Sequence, residues 1–309
     1  MIKRIGLLFP GQGSQFVGMG KDLCQQYSEV SRLFAQADEF LGFSLSSIMF
    51  EGPEENLLKT ANSQLAIYLH SLAVLEVLLA RCPFELVLVS GLSLGEYTAL
   101  TASKRISVED GLRVVQKRAE LMEAACEQSL GGMAAVLGLP SEVVSQALES
   151  IGDGIWVANY NAPKQTVIAG IRSKVEEAAI VLRELGAKKV VMLKVSGAFH
   201  TPFMQMAQDE LAPYLCQIAF KDSAIAFASN VIGELVYENE IIRSLMIKQM
   251  TSPTLWYQTC FQIDPKVDVF LELGPGNVLT GLCRSIGLVT PCKPLGSVED
   301  IENFCRSCE

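Results

Sequence analysis

The stretch LVLVSGLSLGEYTAL at residues 86–100 decides the fold. It opens with a short apolar run, which predicts a strand buried in a sheet. Gly91 and Gly95 then flank Ser93, and glycine permits the sharp turn and close backbone approach that a Cβ would obstruct. A helix is expected to start directly after the turn. Strand, Gly-x-Ser-x-Gly turn and helix together predict a nucleophile elbow, with the Ser93 hydroxyl over the positive end of the helix.

The same residues also fit a purely structural role. Ser93 and Glu96 have the spacing of a capping box, in which the serine does no more than cap the helix. The buried strand in front of the turn favours the nucleophile, because that strand is the context in which an elbow occurs.

The composition indicates a protein with a large core. The chain has 309 residues, half of them hydrophobic, and its mean hydropathy is +0.30. One or two domains are therefore expected. The net charge of −9 excludes a general nucleic-acid binder.

We expect no stretch that is long enough and apolar enough to span a membrane. The best candidate, residues 65–80, carries His70 and Glu76, and the apolar run near the start stops at Phe9-Pro10-Gly11, too short for a signal peptide. These features predict a soluble cytoplasmic protein.

The cysteines predict neither a disulfide framework nor a metal site. They number nine, an odd count, and most lie in apolar contexts such as those of Cys126 and Cys260, which is typical of reduced core residues. Cys305-x-x-Cys308 resembles half of a zinc or redox site, but no second pair matches it. We therefore expect no bound metal.

Apolar periodicity predicts an α/β fold whose larger part is a parallel sheet with helices. Buried strands are expected at residues 5–9, 86–89, 224–228 and 269–273, and helices at residues 28–41, 64–79, 108–126 and 204–215. Residues 10–15 form a Gly- and Gln-containing loop after the first strand. This loop is either an ordinary turn or a means of bringing a Gln side chain or N–H group to a site, and it lacks the lysine of a Walker loop.

A different pattern begins near Gly131. Strands are predicted at residues 133–137, 155–159, 166–169 and 189–195, helices at 141–149 and 173–185, an N-cap at Ser141, a C′ glycine at Gly186 and a loop at 161–164. The order βαββαβ matches the ferredoxin-like arrangement. We therefore predict an α/β-hydrolase-like domain of residues 1–126 and 196–309, with a small ferredoxin-like domain of residues 127–195 inserted in it.

Only two histidines are available as the base that a serine nucleophile needs. His70 lies in the middle of an apolar helix, where a histidine is usually structural. His200 lies in a loop after a strand, between Gly197 and Pro202, and such loops are where sites are assembled. Many acidic residues could be the third member, and the sequence singles out none of them.

Five motifs occur in order along the chain. They are residues 9–15, residues 91–97, Asn159-x-Asn161-x-Pro163, residues 195–200 and residues 274–276. With these motifs the chain resembles the malonyl-CoA:acyl carrier protein transacylases of bacterial-type fatty-acid synthesis, from about Ile5 to Leu282. One departure is Leu92, since the family elbow usually has a histidine before the serine.

The resemblance implies a role for each matching residue. Ser93 would be the nucleophile, His200 its base, Gln249 the residue that orients His200 through a backbone oxygen, Gln12 and Leu94 the donors of the oxyanion hole, and Arg118, Met122, Asn159 and Phe199 the substrate-binding residues. Arg118 would pair with the malonyl carboxylate. The alternative for Arg118 is a place on the solvated face of its long helix.

The implied reaction is a ping-pong transfer of the malonyl group from coenzyme A to the phosphopantetheine thiol of acyl carrier protein, through an acyl-serine and without metal or bound cofactor. Residues 127–195 carry seven cations and seven anions, so the rest of the chain holds the whole −9. An acidic carrier is therefore expected to dock near the small domain. Two alternatives remain open: a serine hydrolase or thioesterase with a carboxylate partner for His200, and a non-catalytic acyl-binding module.

Overall fold

The computed structural model describes residues 3–127, 130–195 and 197–307. Ser196 of the fourth motif and Cys308 of the Cys-x-x-Cys pair lie outside the described residues. The strands are β1 (Arg4–Phe9), β2 (Glu85–Gly91), β3 (Gly131–Leu137), β4 (Ile155–Ala162), β5 (Gln165–Ile171), β6 (Lys189–Met192), β7 (Ala226–Ser229), β8 (Glu234–Val236), β9 (Val269–Leu273) and β10 (Cys292–Leu295).

The helices follow in the same chain order. They are α1 (Lys21–Gln26), α2 (Ser28–Leu41), α3 (Leu45–Glu51), α4 (Glu54–Leu58), α5 (Thr60–Arg81), α6 (Gly95–Ala102), α7 (Val108–Glu127), α8 (Ser141–Ile151), α9 (Arg172–Glu184), α10 (Gln205–Gln217), α11 (Asn239–Lys248), α12 (Trp256–Ile263), α13 (Val278–Ile286) and α14 (Val298–Arg306), with 3-10 turns at Pro202–Met204 and Asp264–Lys266.

The larger sheet has the strand order β10-β9-β1-β2-β7-β8 and is parallel except for β8. Successive residues of β1 point to opposite faces: Leu7 packs in the core with α5 and α7, and Leu8 packs with α12 and α13. Both faces are thus covered, as parallel sheets require. The predicted parallel α/β sheet is confirmed, whereas the short edge strands β8 and β10 were not predicted.

The smaller sheet is antiparallel and has the order β4-β5-β3-β6. Helices α8 and α9 pack on it around a core of their own. Strand order and connectivity are those of the predicted ferredoxin-like arrangement, so the fold class is confirmed. The sheet lies between Gly131 and Met192; the boundaries at 126/127 and 195/196 stay a prediction.

Three local predictions in this small sheet are wrong. Residues 161–164 are not a loop, since Asn161 and Ala162 continue β4 and Ala162 pairs with Gln165, which leaves a two-residue turn. Ser141 does not cap α8, because Pro140 occupies the N-cap with a backbone angle suited to that position and no side chain caps the helix. The last strand ends at Met192 rather than at residue 195.

Helix α5 corrects the expectation about membrane segments. Thr60–Arg81 is long and apolar enough to cross a membrane by length and composition, so the statement that no stretch qualifies is wrong. In the structure 83% of its most apolar window is buried, and it packs against α2, α7 and β9. Composition cannot distinguish a membrane helix from one enclosed by its own protein, and α5 is a core helix.

The sheet places three chain segments next to one another. Phe9 at the end of β1 is paired with Gly91 at the end of β2, and Ser90 of β2 with Ala228 of β7. The carboxyl ends of these parallel strands therefore share one edge, where open α/β sheets assemble their sites.

Candidate active site

The turn between β2 and α6 is a nucleophile elbow in its geometry. Ser93 adopts φ +53°, a left-handed conformation that is strained for a residue with a side chain. A Cβ on Gly91 would lie 2.1 Å from the carbonyl carbon of Gly95, and a Cβ on Gly95 would lie 2.0 Å from the carbonyl oxygen of Phe9. Glycine is therefore required on both sides of Ser93.

The capping alternative for Ser93 is not what the structure contains. The N-cap of α6 is Leu94, and no side chain caps that helix. The Ser93 hydroxyl instead donates to Nε2 of His200 at 2.8 Å and accepts from Nη2 of Arg118 at 3.0 Å.

His200 is held so that it can receive the serine proton. Its Nδ1 lies 3.0 Å from the carbonyl oxygen of Gln249 and 3.1 Å from that of Ser252. Because a carbonyl can only accept, Nδ1 carries the hydrogen and Nε2 is left to accept from Ser93. Like Ser93, His200 has a left-handed backbone, at φ +61°.

The surroundings of His200 keep it neutral. Burial and the nearby Arg118 cation lower its pKa to about 4, against the two carbonyl groups, which act in the opposite direction. In the described ranges no carboxylate forms an ion pair with His200. A neutral imidazole at pH 7 has the protonation state that a general base needs.

Arg118 is buried, with 1% of its surface exposed, so the solvated-face alternative is wrong. Besides Ser93, its guanidinium donates to Oε1 of Gln64 at 2.5 Å and to Oε1 of Gln249 at 3.1 Å. It also lies 5.2 Å from the centre of the Tyr97 ring. Among the described residues Arg118 has no carboxylate partner within ion-pair distance.

Gln249 connects several of these groups through both its backbone and its side chain. In addition to the contacts above, its Nε2 donates to the carbonyl oxygen of Ser93 at 2.8 Å and to the Glu96 carboxylate. Burial raises the pKa of Glu96 to about 7, although Gln249, the Asn230 backbone and Arg118 act in the opposite direction.

The two residues predicted for the oxyanion hole lie beside the elbow. Leu94 follows Ser93 and precedes the first residue of α6, so its N–H lies at the N-terminus of that helix. The loop with Gln12 packs on the turn, because a Cβ on Gly11 would lie 2.5 Å from the carbonyl oxygen of Leu92. The Gln12 side chain reaches Oγ1 of Thr60 at 3.4 Å.

In the described part of the chain, none of the remaining predicted residues forms a hydrogen bond with the Ser93 hydroxyl. Met122 is one turn beyond Arg118 on α7, and its sulfur accepts from Nε2 of Gln64 at 3.4 Å. Phe199 is buried beside His200. Asn159 is buried in β4, where it bridges to Thr254, and in the described part of the chain its side chain makes no hydrogen bond with Ser93, His200 or Arg118.

Leu92 takes an apolar place in the elbow. It packs against the core that contains α12 and α13, and its N–H donates to the carbonyl oxygen of Phe9 at 2.9 Å. The base that meets Ser93 is His200, so leucine at this position leaves the Ser93–His200 contact in place.

Sequence reasoning missed several site residues, namely Gln64, Asn230, Ser252 and the role of Glu96 beyond capping. Asn230 could have been found, since it follows a buried strand at the edge where sites form. Gln64 and Ser252 carry no local signal, because their place in the site depends on how α5 and the loop after α11 pack.

No cluster of three or more His, Cys, Asp or Glu side chains that could hold a metal ion occurs within residues 3–127, 130–195 and 197–307. The chemistry available at the site is that of a serine with a neutral histidine and a buried cation beside it.

Comparison with known proteins gives a consistent result. The family described as acyl transferase domain matches residues 7–290. The chain is 39% identical over 289 residues to the malonyl CoA-acyl carrier protein transacylase of Bacillus subtilis (strain 168), covering 92% of this chain and 91% of that protein. It is 35% identical over 307 residues to the protein of the same name from Staphylococcus aureus (strain MSSA476), covering 98% and 99%.

Solved structures agree with the sequence relatives. A type II PKS acyl-carrier protein in complex with its malonyl-transacylase contains a chain that matches with a TM-score of 0.95 at 32% identity, covering 98% of this chain and 99% of that one. The acyl-carrier-protein S-malonyltransferase from Bartonella henselae matches with a TM-score of 0.94 at 35% identity, covering 99% of both chains.

Proposed function

The chain belongs to the acyl transferase family, and on this premise we propose that it transfers the malonyl group from malonyl-CoA to the phosphopantetheine thiol of acyl carrier protein, in the cytoplasm, for fatty-acid biosynthesis. The observation that carries the proposal is Arg118. A buried guanidinium that touches the nucleophile and has neutral oxygens as hydrogen-bond acceptors offers a place for a carboxylate supplied by the substrate. A malonyl group differs from an acetyl group by that carboxylate.

In the first half of the reaction Ser93 attacks the thioester carbonyl. The 2.8 Å contact to Nε2 of His200 lets the imidazole take the hydroxyl proton as the Oγ–C bond forms. The N–H groups of Gln12 and Leu94 receive the negative charge on the carbonyl oxygen. The C–S bond then breaks, His200 returns its proton to the sulfur, and coenzyme A leaves as a thiol.

In the second half the carrier's thiol takes the place of coenzyme A. His200 removes the thiol proton, the sulfur attacks the malonyl-serine ester, and the proton returns to Ser93 Oγ as the C–O bond breaks. Arg118 holds the malonyl carboxylate through both halves, since a guanidinium is always charged and can bind two carboxylate oxygens. The serine and the histidine supply nucleophile, base and acid, so the proposal includes no cofactor or metal beyond the thioester substrates.

The hydrolase alternative is not favoured. It requires a carboxylate beside His200, whereas Nδ1 faces the carbonyl oxygens of Gln249 and Ser252. The two curated relatives described above are named as transacylases, and so is the enzyme in the matching complex with an acyl-carrier protein.

The charge distribution supports docking of the carrier near the small domain. Residues 127–195 are neutral overall while the rest of the chain holds the net charge of −9. An acidic carrier would therefore meet less repulsion there.

Intact-mass measurement tests the proposal. Brief mixing with malonyl-CoA should add one malonyl group to the protein, and Ser93→Ala should remain unmodified. Addition of a carrier protein bearing phosphopantetheine should discharge the acyl-enzyme with formation of malonyl-carrier. Release of free malonate at the same rate with and without carrier would contradict transfer and favour the hydrolase.

A further inference from the structure

The peptide groups on both sides of Ser93 are held by side chains from distant parts of the sequence. The Ser93 N–H donates to Oδ1 of Asn230 at 2.9 Å. The Ser93 carbonyl oxygen accepts from Nε2 of Gln249 at 2.8 Å, in addition to the turn hydrogen bond from the Glu96 N–H at 3.1 Å. A left-handed, non-glycine residue persists where its surroundings determine it in this way.

Glu96 connects Asn230 and Gln249, the two residues whose side chains are hydrogen bonded to the Ser93 backbone. One of its carboxylate oxygens accepts from the backbone N–H of Asn230 at 2.7 Å, and the other accepts from Nε2 of Gln249. Glu96 is fully buried, so neither hydrogen bond competes with solvent.

The arrangement depends on the fold rather than on the elbow alone. Asn230 follows β7, whose pairing of Ala228 with Ser90 places it beside the end of β2. Gln249 comes from the loop after α11, and Glu96 from the first turn of α6. Three elements thus converge on the backbone of one residue.

The same contacts also orient the next N–H group. The Ser93 carbonyl and the Leu94 N–H belong to one planar trans peptide, so they point in opposite directions. A donor that fixes the Ser93 carbonyl oxygen therefore fixes the direction of the Leu94 N–H, which the mechanism above places in the oxyanion hole.

We propose that Asn230 and Glu96 are positioning residues for acyl transfer, which act through the two peptide groups flanking Ser93 and hold both the nucleophile and the Leu94 N–H in place. They touch no reacting atom. The inference rests on the proposed function only for its assignment of the oxyanion donor.

Asn230→Ala removes the acceptor for the Ser93 N–H, and Asn230→Asp keeps an oxygen at that position. The matched control is Ser90→Ala, which removes one buried hydrogen bond, from Ser90 Oγ to the carbonyl oxygen of Ala228 at 3.1 Å, between the same strands. Two assays are used. The first gives kcat and KM with malonyl-CoA, and the second gives the rate of inactivation by phenylmethanesulfonyl fluoride, which reports on Ser93 without thioester, carboxylate or carrier.

For Asn230→Ala we expect both kcat and the inactivation rate constant to fall about 10- to 100-fold, with KM changed by less than about threefold, because misplacement of a reacting group by ~1 Å costs on the order of a hundredfold. Asn230→Asp should recover to within about fivefold of the wild type, and Ser90→Ala should stay within about twofold. Equal rates in folded Asn230→Ala and Ser90→Ala, or equal losses in the Ala and Asp variants, would overturn the proposal.

Glu96→Gln provides a second test if Asn230→Ala does not fold. A glutamine keeps the size of Glu96 but has one oxygen, so it cannot accept both hydrogen bonds. A loss of about tenfold in the sulfonyl fluoride rate supports the network, and a wild-type rate in a folded sample overturns it. Because this readout is independent of malonyl-CoA, it remains decisive even if the transacylase function fails its own test.

Discussion

The two histidines, His200 and His70, are alike in burial and differ in their hydrogen-bond partners and in their backbone conformation. Both side chains are buried, with 6% and 0% of their surface exposed, and burial is the main reason that the pKa of each is lowered to about 4. His200 has hydrogen-bond partners at both ring nitrogens and lies in a left-handed turn. His70 lies in α5, and among the described residues neither of its nitrogens is hydrogen bonded, although the Gly296 backbone faces the ring.

The two histidines show that a lowered pKa can accompany either a catalytic or a structural role. A lowered pKa by itself marks removal from water and does not identify a catalytic base. What distinguishes His200 is a carbonyl pair that fixes its tautomer and a serine hydroxyl at hydrogen-bond distance. The His70 ring packs against Gly20, since a Cβ on that glycine would lie 3.2 Å from Cδ2 of His70.

The largest difference is expected between substitutions of the two serines that lie beside the two histidines, Ser93 beside His200 and Ser71 beside His70. Ser93→Ala should abolish acyl-enzyme formation and transfer, because within the elbow segment, residues 91–95, Ser93 alone carries a side-chain hydroxyl. Ser71→Ala, beside His70, removes a buried hydroxyl that has no hydrogen-bond partner in the described chain and should leave kcat within about twofold. Intact mass and steady-state rates are the measurements. Near wild-type transfer by Ser93→Ala would remove this serine from the mechanism.

Substitution of the histidines themselves tests the comparison directly. His200→Ala should slow acylation by several orders of magnitude, in the range of about 10²–10⁴-fold given for loss of a general base. His70→Ala should lower the free energy of unfolding by about 1–3 kcal/mol through a cavity in the core, with little change in the rate per folded molecule. Stopped-flow acylation and thermal unfolding separate the two effects. Equal activity losses in folded samples of both variants would contradict the distinction.

Arg118 is a cation close to His200, and the surroundings of His70 have no such cation acting on its pKa. A charge-assisted hydrogen bond is worth roughly 1.5–3 kcal/mol, about ten- to a hundredfold in selectivity. Arg118→Ala should therefore lower kcat/KM for malonyl-CoA by that factor and leave the slow reaction with acetyl-CoA unchanged or faster. The ratio of the two kcat/KM values is the observable. A common factor for both substrates would make Arg118 a structural residue.

Sequence alone predicted the parts of this site that depend on local patterns. The elbow was predictable because strand, glycines and serine are contiguous, and His200 because the alternative was a helical His70. The contact between Asn230 and Ser93 was not predictable, because it joins residues 137 positions apart through the pairing of β2 with β7. The extension of β4 through Asn161 likewise depends on pairing with β5, which no local propensity indicates.

The smallest expected effect is a difference in titration between the two histidines. The Arg118 cation is one of the causes that lower the pKa of His200, and it is not among those that act on His70, where Asp22 acts in the opposite direction. Arg118→Ala should therefore raise the pKa of His200 and leave that of His70 unchanged. With two histidines in the chain, the imidazole NMR signals can be assigned by comparison with His70→Ala.

The same shift has consequences for rate and stability. A base works in its neutral form, so the acid limb of kcat/KM in the wild type should lie near pH 4, and in Arg118→Ala, measured with acetyl-CoA, it should move to higher pH.

For stability, the unfolded chain binds protons at both histidines below about pH 6.5, whereas the native protein does so only near pH 4. Each histidine therefore makes the free energy of unfolding fall as the pH decreases through that window. In Arg118→Ala the pH range over which His200 lowers the free energy of unfolding should become narrower, because its native pKa moves toward the unfolded value. The range for His70 should stay the same, because only the His200 ring loses a neighbouring cation. An equal upward shift of both imidazole signals would mean that Arg118 affects them through packing of the core rather than through its charge.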